Sequence, residues 1–261
     1  AVEDVTYNVA GMINNGQRRT IIVGAHYDHL GYGGESSRYT GEEPMVHNGA
    51  DDNASGVAGL LAMARFLSTT QDPTMRRFNY LLVAFSGEEM GLLGSKAFVE
   101  RTATRQESWY YMFNMDMIGR MEDDRIAVNG MGTSPQWRDL VEPIECGLNF
   151  EFGESGVGPS DHTSFYYASV PALHFFTGTH PDYHKPSDDA DKINVVGIYR
   201  VVSLMSSIIR NSPQGGDFVF STTKIESTKA PKFSVTLGVM PDYLYSGNGM
   251  KIDGVSPDKP A

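Results

Sequence analysis

Five short stretches hold most of the side chains in this sequence that could do chemistry. "AHYDH" carries His26 and Asp28, two residues apart, so in extended backbone both project to the same face. A carboxylate beside a histidine can fix the imidazole's tautomer and raise its basicity, which suits a metal ligand. The plainer reading is a satisfied, buried histidine. His29, one residue on, points elsewhere and is left out. "HNGADDNASG" sets Asp51 and Asp52 side by side at the mouth of an apolar helical stretch. Either could cap that helix, yet adjacent like charges repel unless something holds them. "FSGEEMGLLGS" offers Glu88 and Glu89; neighbouring side chains diverge in extended chain, so one could bind a metal while the other faces substrate. Asp116 interrupts the apolar run "NMDMIG", where a lone ionised carboxylate would be costly without a partner. "HPDYHKPSDD" adds His180, Tyr183 and His184 in a loop. Cys146 is the single cysteine, so any metal here is held by histidines and carboxylates.

These residues need a frame that brings them together. "VTYNVAGMI", "RRTIIVGAHYDH", "RRFNYLLVAFSGEE", "SWYYMFNMDMIG", "DRIAVNG" and "SVPALHFFTG" read as strands, several of them continuously apolar. "SGVAGLLAMARFLSTT", a short stretch from about Leu92 to Arg101, "SPQWRDLVEPIECG" and "DKINVVGIYRVVSLMSSIIRN" read as helices, with Ser134 a cap for the third. Buried strands alternating with helices predict an α/β fold, a mixed and largely parallel β-sheet covered by helices on both faces. Nearly every polar cluster follows a strand, and the carboxyl ends of strands are where such sheets bind ligands. Residues 31–50 form a long Gly-rich loop, a length often associated with function.

Taken in order, His-x-Asp, Gly-Ala-Asp-Asp-Asn-Ala-Ser-Gly, Ser-Gly-Glu-Glu-x-Gly-Leu-x-Gly-Ser, Asn-x-Asp-Met-Ile-Gly and Tyr-His strongly resemble the motifs of the zinc-dependent di-metal aminopeptidases, including the bacterial leucyl type. Their wider superfamily includes glutamate carboxypeptidase and glutaminyl cyclases. The resemblance covers roughly residues 5–210. It implies two Zn²⁺ per chain, with His26, Asp51, Glu89, Asp116 and His184 as ligands. Asp51 would bridge the ions, His26 would pair with Asp116 at one, and Glu89 with His184 at the other. Glu88 would be the general base acting on a metal-bridging hydroxide, Asp28 would orient His26, and Tyr183 would stabilise the tetrahedral oxyanion. The peptide bond after the bridging aspartate would be cis. The implied substrates are peptides with a free amino terminus. Residues 158–166, "GPSDHTSFY", resemble the segment lining the substrate pocket, with no chemical role assigned to Asp161 or His162; Phe175, Phe176 and Met115 suggest an apolar lining. A cyclase or carboxypeptidase of the same superfamily is the alternative activity, and a receptor or scaffold with a decayed site is the non-enzymatic one.

Composition narrows the remaining classes. Lys and Arg number 21 against 32 Asp and Glu, a net charge of −11, and no basic stripe is present, which argues against nucleic acid. No apolar run approaches the ~18 to 20 residues that span a bilayer. Composition shifts at residues 211–217, dividing a catalytic domain (1–212) from a linker (213–232) and a β-rich segment (233–261). That segment, with "KFSVTLGVMPDYLYSGNGMKIDGVSPDKPA", resembles the first third of a PDZ domain in bacterial proteases; a simple hairpin is the plainer reading. The sequence reads as cut at both ends, and the resemblance implies a periplasmic or secreted protein.

Overall fold

The apolar strands assemble into one twisted sheet. In this computed structural model, residues 5–213, 215–224, 239–241, 249 and 252–255 are described. Strand β1 (Val9–Ile13) is followed by β2 (Thr20–His26), helix α1 (Gly56–Thr69), β3 (Asn79–Phe85), α2 (Leu93–Arg101), β4 (Trp109–Met115), β5 (Arg125–Asn129), α3 (Gln136–Val141), β6 (Asn149–Gly153), α4 (His162–Tyr167), β7 (Ala172–Phe176) and α5 (Val195–Asn211). The seven strands lie in the order β1-β3-β2-β4-β7-β5-β6. Strands β3, β2, β4 and β7 run parallel, whereas β1 and β5 join antiparallel. The sheet is mixed and largely parallel, as expected.

Residue alternation decides which helix each strand residue meets. Ile21, Val23 and Ala25 of β2 pack in a core shared with Leu60, Met63 and Leu67 of α1, with Trp137 of α3, and with Val201, Met205 and Ile208 of α5. Ile22, between them, joins the opposite core with Val99 of α2 and Phe165 of α4. Helices therefore cover both faces, and every residue of β2 and β4 is buried. Long α5 turns Ile198, Val202 and Ile209 inward at helical spacing, while Val195, Val196 and Tyr199 stay exposed. Asn194 caps α5 by accepting the Gly197 N–H. Two short elements escape the sequence reading: β6, a five-residue edge strand, and α4, six residues long.

The parallel strands end at one edge of the sheet. His26 closes β2, Glu88 and Glu89 follow β3, and Asp116 stands just beyond β4 rather than inside it. After α5 the chain does not leave the domain at once. Phe218, within the expected linker, is buried against Trp137, Tyr111 and Tyr110, at ring-centroid distances of 4.5, 5.0 and 5.3 Å. Ser221 N–H then donates to the Thr133 carbonyl. Further on, β8 (Val239–Pro241) and β9 (Ile252–Val255) pair antiparallel. The rest of the segment expected to be PDZ-like lies outside the described residues. Among the described residues no helix is long and apolar enough to cross a membrane.

Candidate metal centre

His26 arrives at the end of β2 with its imidazole almost fully buried. Its Nδ1 lies 3.1 Å from the backbone carbonyl of Asp28, and the Asp28 carboxylate is farther, at 3.7 Å. That carboxylate is occupied elsewhere: its oxygens accept the backbone N–H groups of Glu88 (3.2 Å) and Glu89 (3.3 Å). Asp28 thus orients His26 mainly through its carbonyl, and its side chain sets the turn that presents both glutamates.

The pair Asp51-Asp52 divides its work differently from expectation. Asp52, not Asp51, stands between the flanking groups. Its Oδ1 is 3.3 Å from His26 Nε2, and its Oδ2 is 3.1 Å from His184 Nε2. Asp51 turns into the protein, accepting the Gly119 N–H at 2.6 Å and facing His180 Nε2 at 3.2 Å. The reason is the backbone of residues 50–55, a single tight turn in which Asp52 and Asn53 leave helical geometry. Neighbouring side chains there point in opposite directions. The cis peptide bond likewise follows Asp52 rather than Asp51. Neither aspartate caps α1; Asn53 Oδ1 accepts the Gly56 N–H instead, at 3.0 Å, and also that of Met117, at 3.2 Å.

The remaining groups close around Asp52. Asp116 Oδ1 lies 3.3 Å from His26 Nε2, and Glu89 Oε2 lies 3.3 Å from His184 Nε2. His26, Asp52 and Asp116 each offer a donor atom within 4.8 Å of the others; so do His29, Asp52 and Glu89. Asp52 belongs to both groups. His29, left out of the sequence set, enters because β2 ends at His26, and strand alternation no longer governs the turn beyond it. His184 is oriented by Ser36, whose carbonyl lies 2.8 Å from Nδ1. Glu88 lies beside these groups, with Oε2 4.0 Å from His26 Nε2.

Electrostatics describe a site that demands positive charge. Burial alone would lower the His26 pKa, but Asp116, Asp52 and Glu88 outweigh it and hold it well above the ordinary value. His184 behaves alike: burial opposes, Asp52 and Glu89 prevail, and its pKa rises to about 10. Burial would raise Glu89, yet hydrogen bonds with His184 and His29 bring it down to about 2. Glu88 has no such donor, and burial, reinforced by Asp116, Asp161 and Glu89, pushes it up to about 10. Three clustered carboxylates with two converging imidazoles are oxygen and nitrogen donors of the type Zn²⁺ accepts, and a cation is the partner that makes their burial tolerable.

The site opens into a cleft of about 610 Å³ lined by Asp52, Glu88, Glu89, Asp116, His162 and Tyr183, among others. Phe176 lines it as expected; Phe175 and Met115 instead lie in the core behind. Tyr183 stacks on His184, with ring centroids 3.9 Å apart, and burial and nearby carboxylates hold its hydroxyl protonated.

Known proteins share this frame. The peptidase family M28 model matches residues 8–209. Escherichia coli YfbL, an uncharacterised protein, is 29% identical over 229 residues, covering 74% of this chain and 67% of its own. Bacillus subtilis aminopeptidase YwaD is 28% identical over 176 residues, covering 62% of this chain and 37% of its own. The structure of an aminopeptidase from Aneurinibacillus sp. strain AM-1 superimposes with a TM-score of 0.62 at 26% identity, over 83% of this chain and 50% of that one. The chain thus spans half or less of these aminopeptidases. On the extent of the family match and the shared fold, the chain belongs to peptidase family M28.

Proposed function

We propose that this protein is a di-zinc aminopeptidase that removes the amino-terminal residue of peptides. One observation carries the reading: Asp52 directs one carboxylate oxygen at His26, which Asp116 also faces, and the other at His184, which Glu89 also faces. His26 and Asp116 would hold one ion, Glu89 and His184 the other, and Asp52 both. When bound, such ions supply Lewis acidity toward the scissile carbonyl and make water acidic enough to ionise near neutral pH.

The chain's own groups do the rest. Glu88 lines the cleft and belongs to neither donor group, so it is placed to take a proton from attacking water and return it to the departing amine. Its pKa, raised by burial, is brought back toward the working range by added positive charge beside it. Tyr183 keeps its proton and can donate to a developing oxyanion. The acidic lining, Glu88, Asp116 and Glu154, favours a substrate bearing a free α-ammonium group.

The test is hydrolysis of a panel of aminoacyl-p-nitroanilides before and after chelation, with zinc added back. Turnover that vanishes on chelation and returns with two equivalents of zinc is expected. Cyclisation of an amino-terminal glutaminyl peptide, or release from the carboxyl end, would place the protein elsewhere in its superfamily; neither activity in zinc-loaded protein would leave the non-enzymatic reading.

A further inference from the structure

Glu89 uses its two carboxylate oxygens separately. Oε2 faces His184 Nε2 at 3.3 Å, on the side where Asp52 Oδ2 also lies. Oε1 is 2.8 Å from His29 Nδ1. That is hydrogen-bond length, whereas His29 Nδ1 stands 3.9 Å from Asp52 Oδ2, beyond any bond. The imidazole is only 11% exposed, and its edge lies against the His184 ring, 5.9 Å between centroids. The ring packs where only a glycine leaves room: Gly49 has φ +60°, and a Cβ there would fall 2.6 Å from two atoms of the His29 ring. Carboxylates that bind metals are commonly held by such hydrogen bonds, and loss of one typically costs 10- to 100-fold in metal affinity.

We propose that His29 is a positioning residue for the Glu89–His184 half of the centre: Nδ1–H donates to Glu89 Oε1, turning Oε2 toward His184 and Asp52, and so sets how tightly that half holds its ion. This rests on the di-metal reading. It makes the two halves unequal, because the His26–Asp116 half makes no contact with His29.

The experiment measures zinc per chain at equilibrium across a series of zinc buffers for wild type, His29→Ala and His29→Asn, with unfolding of each chelated protein alongside. Asparagine can place an N–H near the position of Nδ1. In wild type, two zincs per chain are expected. His29→Ala should keep the tighter zinc unchanged and need about 10- to 100-fold more free zinc for the other, with His29→Asn recovering most of the difference and all three chelated proteins melting together. Wild type that binds fewer than two zincs would overturn the di-metal reading and this inference with it. Two zincs in wild type with unchanged affinities in His29→Ala would overturn the inference alone. So would loss of both zincs, or a lower melting temperature in the chelated variant, since either marks a structural role.

Discussion

Asp188 holds the backbone that carries Asp52. Its Oδ2 accepts the Asp52 N–H at 3.1 Å and the Asp51 N–H at 2.8 Å, and Arg120 donates to its other oxygen at 3.2 Å. The carboxylate is almost fully buried, so these bonds meet little competition from water. Asp188→Asn should therefore destabilise the fold by about 1.5–3 kcal/mol, the range for hydrogen bonds to charged groups, as denaturant unfolding would show. Zinc analysis of the neighbouring pair separates their roles. Asp52→Asn should lose bound zinc and Asp51→Asn should retain it; the reverse result would restore Asp51 to the bridging position.

The two glutamates are predicted to fail differently. Glu88→Gln keeps the shape of the side chain and removes the proton acceptor, so both zincs should remain while turnover falls by roughly 10² to 10⁴. Glu89→Gln removes a charge that His29 and His184 both contact, and zinc content should drop. Metal analysis beside a steady-state assay distinguishes the two.

Tyr183→Phe should lower kcat by about 10² to 10³ with little change in KM, since an oxyanion donor acts mainly in the transition state. Phenylalanine keeps the ring that stacks on His184, so that contact should persist. A near-normal rate would reduce Tyr183 to a packing residue.

Asp161 makes stability depend on pH. Burial raises its pKa from 3.8 to about 7. A folded-state value above the unfolded one means that the ionised form opposes folding: the cost is absent below about pH 4, grows as pH rises to 7, and is constant beyond. Each tenfold change in proton affinity corresponds to about 1.4 kcal/mol. Asp161→Asn should thus stabilise chelated protein at pH 8 by on the order of 4 kcal/mol, and have little effect at pH 4. Equal melting shifts at both pH values would contradict this.

Phe218 ties the segment after α5 to the domain. Phe218→Ala should cost about 3–5 kcal/mol, the usual range for a buried phenylalanine, without altering activity per bound zinc below the melting transition. A chain ending at residue 224 should match the full chain in activity per zinc, and one ending at 216 should melt earlier. Truncation at 224 that abolished turnover while zinc stayed bound would make the distal tail part of the active site.

Most of the frame, and the types of residue at its edge, could be read from the sequence. Short continuous apolar runs rich in β-branched residues, such as "TIIVGA", suit strands buried on both faces, and the α5 period suits a helix against that sheet. Carboxylates and histidines placed after such runs had to collect at one edge, because parallel strands end together. Which of two adjacent aspartates faces the centre was not legible, since that depends on the backbone of residues 50–55 and on Asp188, 136 residues away. His29 was invisible for the same reason: alternation predicts direction only while the strand lasts, and β2 stops at His26. Phe218 looked like linker because Phe218, Val219 and Phe220 form too short an apolar run in a Gly- and Ser/Thr-rich stretch to show which of them turns inward, and only the pocket formed by Trp137, Tyr110 and Tyr111 assigns Phe218 to the core. Local sequence determines periodicity and chemistry; the direction of a single side chain in a turn is decided by the distant groups that hydrogen-bond and pack against it.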